Sequence, residues 1–565
     1  LLVIDRIRFL EAFMHRYWNS APQAALRVFV LLTASCAGWA QDVARLDQIV
    51  QAHTPNHRFM GSVLVVKGSD VILSKGYGSA NLEWDAPNTP RTKFRLGSVT
   101  KQFTAAAILL LQDRGKLSVD DPVRKYAPDA PAAWDKITLY HLLTHTSGIP
   151  SFTGFPEYRQ WQRFETTAQE MVARFRDRPL EFVPGEKWTY SNSGYLLLGY
   201  VIERVSGVSY GQFVAENLFA PLGMRDSGYD SNEAVIARRA SGYAPGPKGV
   251  VNAAYVHMSV PHAAGGLYST TEDLLKWELG LFGGKVLSPA SLEKMLTPFR
   301  RNYACGLFVE TRKGRKVIEH GGSIQGFNAQ LSYYPDDKLT VAVLGNVNGD
   351  APGAIASRLA AVAHGETVIL PSERKEISLD PKILARYVGL YEVSSGTNLA
   401  IAMGSDGLTA KLGAQPAGRI YAASETRFFL RTVDAEIEFG TDASGAVTRA
   451  TLYQGGGRTV APRIEGKAPA PAVASAQVTV KPERLARYAG RYEIAPGLDV
   501  SMTVENGRLM TQITGQPKFE LFAESETRFF LKVVEAKVEF FTSAAGAVTH
   551  IVIRQGGRET KALRR

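Results

Sequence analysis

Three short motifs stand in a fixed order along the chain: Ser98-Val99-Thr100-Lys101, Tyr190-Ser191-Asn192 and His320-Gly321-Gly322. They supply a hydroxyl, an amine three residues on, a phenol beside a carboxamide, and a third basic group next to glycines. Nucleophilic acyl transfer needs such a set: a nucleophile, a base for its proton, an acid for the leaving group and donors for an oxyanion. Cleavage of amide or ester bonds is the chemistry to expect.

The elements around the motifs are readable. FRLGSVTKQFTAAAILLLQDRG reads as a tight turn at Gly97, then a helix closed near Gly115. Ala105 to Leu111 are apolar on every face, so the helix is predicted to be buried. Ser98 is then expected in its first turn, near unpaired N–H groups and the positive end of the dipole. Lys101, at i+3, returns its amine to the same face. To accept a proton near neutrality a lysine must lose about three pKa units, and burial acts in that direction. The spacing alone is weak. It recurs at Ser291–Lys294, which reads as a surface helix, and at Ser372–Lys375, which reads as an interdomain segment.

Residues 194–205 read as a second apolar helix ended by Gly207, with Asn192 or Ser193 as its cap. Tyr190 sits on the loop before it, where a phenol can hand a proton to a leaving amine. Asn192 can donate to a substrate carbonyl. Lys316 to Glu319 alternate like a strand, and Asn328–Tyr334 and Leu339–Val343 read as a hairpin around Pro335-Asp336-Asp337. Gly321 and Gly322 clear side chains from a strand edge along which a substrate backbone could lie.

Two other segments read as structural. His141 and His145 have the i, i+4 spacing of a metal pair, but Leu142 follows His141 and no third ligand is evident. No metal site is expected. HLLTHTSGIP reads instead as a helix end with Gly148 as cap and Pro150 as stop. Ser269-Thr270-Thr271-Glu272 reads as a capping box before an apolar helix.

The ordered motifs, with the segments FRLGSVTKQFTA, HLLTHTSGIP, WTYSNSGYLLLG and GGLYST, resemble the serine β-lactamase and penicillin-binding-protein superfamily, on its class C side, over residues 45–350. The resemblance implies Ser98 as nucleophile, with Lys101 and Tyr190 sharing general acid–base duty; it leaves open which of them takes the serine proton. It implies Asn192 on the substrate amide and His320 in the place of the third-motif basic residue. The oxyanion hole would be the backbone N–H groups of Ser98 and of Ser323, which follows Gly322. No cofactor and no metal are implied. The implied fold is an α+β catalytic domain over residues 41–370, pairing a helical subdomain with an antiparallel sheet built from both ends of that stretch. The third motif departs from the usual Lys-Thr-Gly or Lys-Ser-Gly. A lysine is a fixed cation for a substrate carboxylate, whereas a histidine is mostly neutral at pH 7. That argues against an efficient β-lactamase or carboxypeptidase and favours the branch of D-aminopeptidases, D-peptidases and esterases.

The chain has 565 residues, a net charge of +11 and 2 cysteines. Its basic residues are dispersed and no nucleic-acid motif accompanies them, so no nucleic-acid partner is expected. The expected partner is a small peptide, amide or β-lactam substrate; a homo-oligomer is left open. Residues 1–40 read as a secretory signal with an upstream extension before Met14. Its apolar stretch is Ala24–Ala34, and Gly38-Trp39-Ala40 precede a cut before Gln41. A secreted, periplasmic protein is implied, with Cys305 left alone after cleavage. No later segment is long and apolar enough to span a membrane.

The tail repeats itself. LARYVGLYE (384–392) recurs as LARYAGRYE (485–493), and SETRFFL (424–430) recurs at 525–531, each offset by 101 residues. Alternating runs such as Glu436-Ile437-Glu438-Phe439, with turns at Asp406-Gly407 and Asn506-Gly507, predict two antiparallel β-barrels. Their expected bounds are 379–464 and 479–565, joined by an Ala/Pro linker at 465–478. A catalytic domain followed by two such barrels resembles the layout of bacterial D-aminopeptidases, in which a loop of the last barrel confines the site to short substrates. The favoured activity is therefore hydrolysis of short peptides or amides containing D-residues. The alternatives are a class C-like β-lactamase or DD-peptidase, a carboxylesterase, and a penicillin-recognising protein that does not turn over.

Overall fold

The structure is a computed structural model. It describes residues 43–565 except 247–248, 395, 405, 414, 416, 432–434, 455–456, 467–477, 496–497, 514–517, 532–535, 544–545 and 556–557. The expected leader lies outside the described residues, as does most of the Ala/Pro linker.

The segment GSVLVVK is apolar on both faces, the pattern of a strand covered on both sides. It forms β1 (Gly61–Lys67), followed by β2 (Asp70–Tyr77). Four more strands come from the far end of the catalytic region: β3 (Phe308–Arg312), β4 (Arg315–Ile324), β5 (Phe327–Tyr334) and β6 (Leu339–Gly345). The sheet order is β3-β4-β5-β6-β1-β2, antiparallel throughout, and Val63 pairs with Val343 where the two ends meet. Period-two alternation then splits β1 between two cores. Val63 and Val65 pack with Leu46, Ile49, Ile355 and Leu359 on one face. Leu64 and Val66 face the larger core of the helical subdomain.

That subdomain contains α1 (Thr100–Asp113), α2 (Leu139–Leu143), α3 (Asn192–Ser206) and α4 (Thr271–Phe282); α5 (Ala351–Ala363) covers the opposite face of the sheet. Ala105 through Leu109 are fully buried, as the all-round apolar pattern of α1 requires. Ser98 differs from expectation by one turn. It lies in a separate 3-10 turn, Gly97–Val99, immediately before α1.

Caps differ from the sequence reading for a shared reason: the expected capping groups are engaged elsewhere. α3 is capped by Ser191, because the Asn192 carboxamide is held by Lys101 and the Ser193 hydroxyl donates to Pro150 O at 2.7 Å. α4 is capped by Thr270 with Asp273, because the Ser269 hydroxyl pairs with Ser227 at 2.7 Å. α2 ends at Leu143, and Gly148 lies beyond it, in a left-handed turn against Phe182 O. His141 is used in a capping box with Thr138.

The tail forms two β units, as expected. In the second, eight strands run in sequence order from Gly490–Ala495 to Arg558–Arg564 and close into a barrel. In the first the same order holds, but the strand at 418–422 is split around Ile420, so the barrel is nearly closed. Both pack the same aromatic cluster: Tyr387, Tyr391, Phe428 and Phe439 in one, Tyr488, Tyr492, Phe529 and Phe540 in the other. Tyr387 donates to Glu425 O and Tyr488 to Glu526 O, each at 2.8 Å.

Candidate active site

The turn before α1, the start of α3 and the end of β4 converge on one place. Lys101 is completely buried on the first turn of α1. Its Nζ lies 3.1 Å from Ser98 Oγ and donates to Asn192 Oδ1 and Ala264 O, each at 2.8 Å. No ion pair with a carboxylate is formed by Lys101 among the described residues. Burial therefore acts unopposed and lowers the lysine pKa well below its ordinary value. Two of the three contacts are to carbonyl oxygens, which only accept. A neutral amine satisfies both with its two N–H bonds and turns its lone pair to the Ser98 hydroxyl.

Tyr190 is half-buried, with its ring 4.7 Å from Lys101 Nζ. Its hydroxyl is shielded from solvent and has no hydrogen-bond partner among the described residues. Burial raises the phenol pKa, and the neighbouring Ser98 hydroxyl acts the other way. Asn192, besides accepting from Lys101, donates through Nδ2 to Thr153 Oγ1 at 3.1 Å.

β4 brings the third motif in from the sheet. Gly322 is where this approach is tightest: a Cβ there would sit 1.9 Å from Leu96 O and 3.3 Å from Ser98 N. Gly97, at φ 52°, is pressed in turn against the backbone of Ser323, with a Cβ position 2.8 Å from Ser323 N. The backbones of Ser98 and Ser323 are thus neighbours, and both residues line the same cavity.

That cavity has a volume of about 610 Å³. Its walls include Phe152, Tyr158, Asn192, Gln325, Asn328 and Asn348, and no charged side chain is among the lining residues. His320 is not among them either. It is 3% exposed and lies behind the cavity. Its Nδ1 donates to Gly321 O at 2.6 Å, and its Nε2 accepts from the Tyr303 hydroxyl at 3.2 Å. Burial, then the nearby Lys101, pushes its pKa down to about 3, so the imidazole is neutral at ordinary pH. The other two S-x-x-K serines lie apart: Ser291 donates to Asp113 Oδ1 at 2.6 Å, and Ser372 sits in the turn Pro371–Glu373.

The sequence does not single out His145, whose segment reads as a helix end. The structure sets it in an aromatic cluster with Tyr190, Tyr195 and Tyr303. Its proximity in sequence to Ser147-Gly148 carried no signal of that contact.

The Beta-lactamase family matches residues 46–365, more than half the chain. A domain of unknown function, DUF3471, matches the tail twice, at 373–467 and 474–562. A penicillin-binding protein of Bacillus subtilis is 30% identical over 451 residues, covering 74% of this chain and 98% of that protein. Among solved structures, an octameric penicillin-binding protein homologue from Pyrococcus abyssi is 29% identical, with a TM-score of 0.54 over 74% of this chain and 100% of that one. The D-amino acid amidase of Ochrobactrum anthropi is 25% identical, with a TM-score of 0.51 over 57% of this chain and 99% of that one. Similarity of this extent across the catalytic region makes the chain a member of the β-lactamase family, of the penicillin-binding-protein-like kind that carries C-terminal barrel domains.

Proposed function

We propose that the protein is a serine hydrolase that cleaves amide bonds of short peptides or amides containing D-residues, through an acyl-enzyme on Ser98. The observation that carries the reading is the buried Lys101 amine, 3.1 Å from Ser98 Oγ and spending its other contacts on two carbonyl oxygens. Neutral Lys101 takes the Ser98 proton as Oγ attacks the substrate carbonyl. The oxyanion is met by the backbone N–H groups of Ser98 and Ser323. Tyr190, kept protonated by burial, gives its proton to the leaving amine and recovers one from Lys101. Water then releases the acyl group by the reverse sequence. The opposite pKa directions of the two groups favour Lys101 as base and Tyr190 as acid. The similarity to a D-amino acid amidase supports an amide substrate, and a neutral His320 supports one without a carboxylate at the third motif.

A second reading draws on the uncharged lining of the cavity. It offers no counter-ion to a free ammonium or carboxylate, which favours blocked amides and carboxylic esters over free aminopeptidase or carboxypeptidase substrates. The protein is also proposed to be secreted, on the composition of its leader.

The test is a panel of D-amino-acid p-nitroanilides, their N-acylated forms, p-nitrophenyl esters and a chromogenic cephalosporin, with intact-mass labelling by a serine-reactive phosphonate. The expected outcome is labelling at Ser98, lost in Ser98→Ala, and turnover of D-amides above the cephalosporin. Labelling elsewhere overturns the site; a cephalosporin turned over best overturns the substrate class.

A further inference from the structure

Among the acid–base groups, Tyr190 is the least tethered. Its hydroxyl, near that of Ser98, is held by no hydrogen bond among the described residues, so its place is set by the backbone on either side and by the rings around it. His145 supplies both. Thr189 N–H donates to the His145 carbonyl at 3.0 Å, and Ser191 N–H donates to His145 Nδ1 at 3.2 Å. These two bonds bracket Tyr190. The imidazole also lies against the phenol, with ring centroids 4.3 Å apart, and against Tyr303 at 4.7 Å.

His145 bears two local costs. Its φ is 58°, a left-handed conformation uncommon for a residue with a side chain. Because Nδ1 accepts, the ring proton belongs on Nε2, and that nitrogen is buried without a partner among the described residues. An unpaired buried N–H is unfavourable. Burial, with Lys101 and His320 nearby, keeps the ring neutral. His145 is not among the residues lining the cavity, and its Nδ1 bond goes to the Ser191 backbone. Strain and an unpaired group at one residue, directly behind a reacting phenol, fit a residue kept for what it holds.

We propose that His145 is the positioning residue that holds the Tyr190 phenol within proton-transfer reach of Ser98 and Lys101. The proposal rests on the acyl-enzyme reading above. Proton transfer needs contact within hydrogen-bond distance, so a small drift of the phenol slows chemistry without loosening substrate binding.

The experiment is a double-mutant cycle on an amide substrate, with kcat and KM measured separately. His145→Leu is expected to lower kcat about tenfold or more while KM stays within about twofold. His145→Asn, which presents an oxygen near the Nδ1 position and tolerates the left-handed backbone, is expected to recover most of that loss. In a Tyr190→Phe background, His145→Leu is expected to cost nothing further, because it acts through the missing hydroxyl. An undiminished kcat in folded His145→Leu, or a full additional loss on top of Tyr190→Phe, overturns the proposal. Should His145→Leu not fold, His145→Asn against His145→Gln in both backgrounds carries the same comparison, with equal kcat values as the overturning result. Failure of the parent reading looks different: Tyr190→Phe alone would then keep wild-type kcat.

Discussion

The role proposed for Lys101 follows from its burial with no carboxylate ion pair among the described residues. Since the proposed mechanism needs the free amine, activity is expected to fall as pH drops through the lowered lysine pKa, leaving an acid limb in kcat/KM. His320, with its pKa pushed down to about 3, is neutral throughout that range, so His320→Asn is expected to leave the position of the limb unchanged. Lys101→Ala and Tyr190→Phe are each expected to lower kcat by about a hundredfold or more, the usual loss for a general acid or base. pH–rate profiles of the three variants check both statements. A shift of the acid limb in His320→Asn would assign the limb to the imidazole. The third-motif residue is where sequence and structure part most clearly. Its type and order were legible, but its burial beneath Tyr303 came from packing.

At the scale of elements, the site depends on how closely β4 passes the turn before α1. Gly322→Ala places a methyl group 1.9 Å from the present position of Leu96 O, so the strand must move and Ser323 N with it. Ser323 N–H is proposed as an oxyanion donor, and loss of one such donor costs about 10²–10³ in kcat. A loss of that order is expected with little change in the far-ultraviolet circular dichroism spectrum. α4 carries a different strain. Glu278 is 3% exposed, its Oε2 has no hydrogen-bond partner among the described residues, and burial raises its pKa to about 8. A raised carboxyl pKa gives stability that is fully present below its unfolded value near 4.5 and is lost as pH rises through the folded value. Across that window the protein is expected to lose stability steadily as pH rises, because the unfolded carboxyl ionises while the buried one stays protonated. Glu278→Gln is expected to be relatively more stable at pH 8 than at pH 5. Urea unfolding of both proteins at the two pH values measures it, and an unchanged difference would mean the carboxyl is solvated.

At the scale of the whole molecule, all the residues lining the cavity at Ser98 fall between Gly97 and Gly349. Gln454 of the first barrel helps wall a neighbouring cavity of about 470 Å³ that shares Asn348 and Gly349. The second barrel carries its own core, and bonds such as Tyr488 to Glu526 and Arg528 to Glu539 run within it. Deleting residues 465–565 is therefore expected to leave a folded enzyme with turnover retained. kcat/KM across peptides of increasing length, full-length against truncated, checks it. An unchanged length profile is expected from the lining; a broadened one would mean that the second barrel limits substrate length.

The sequence by itself determined the order of the three motifs, the buried helix after Gly97, the strands flanking the third motif and the duplicated tail. These are properties of local pattern: residue type, period and self-similarity act over a few neighbours or one repeat. The tertiary structure decided that Ser98 stands in its own turn before α1, that caps fall to Ser191 and Thr270, that His320 lies behind the cavity, and that His145 braces Tyr190 from a segment over 40 residues away. Each depends on which distant group claims a hydroxyl, a carboxamide or a ring nitrogen. That competition exists only once the chain has brought those groups within hydrogen-bond distance.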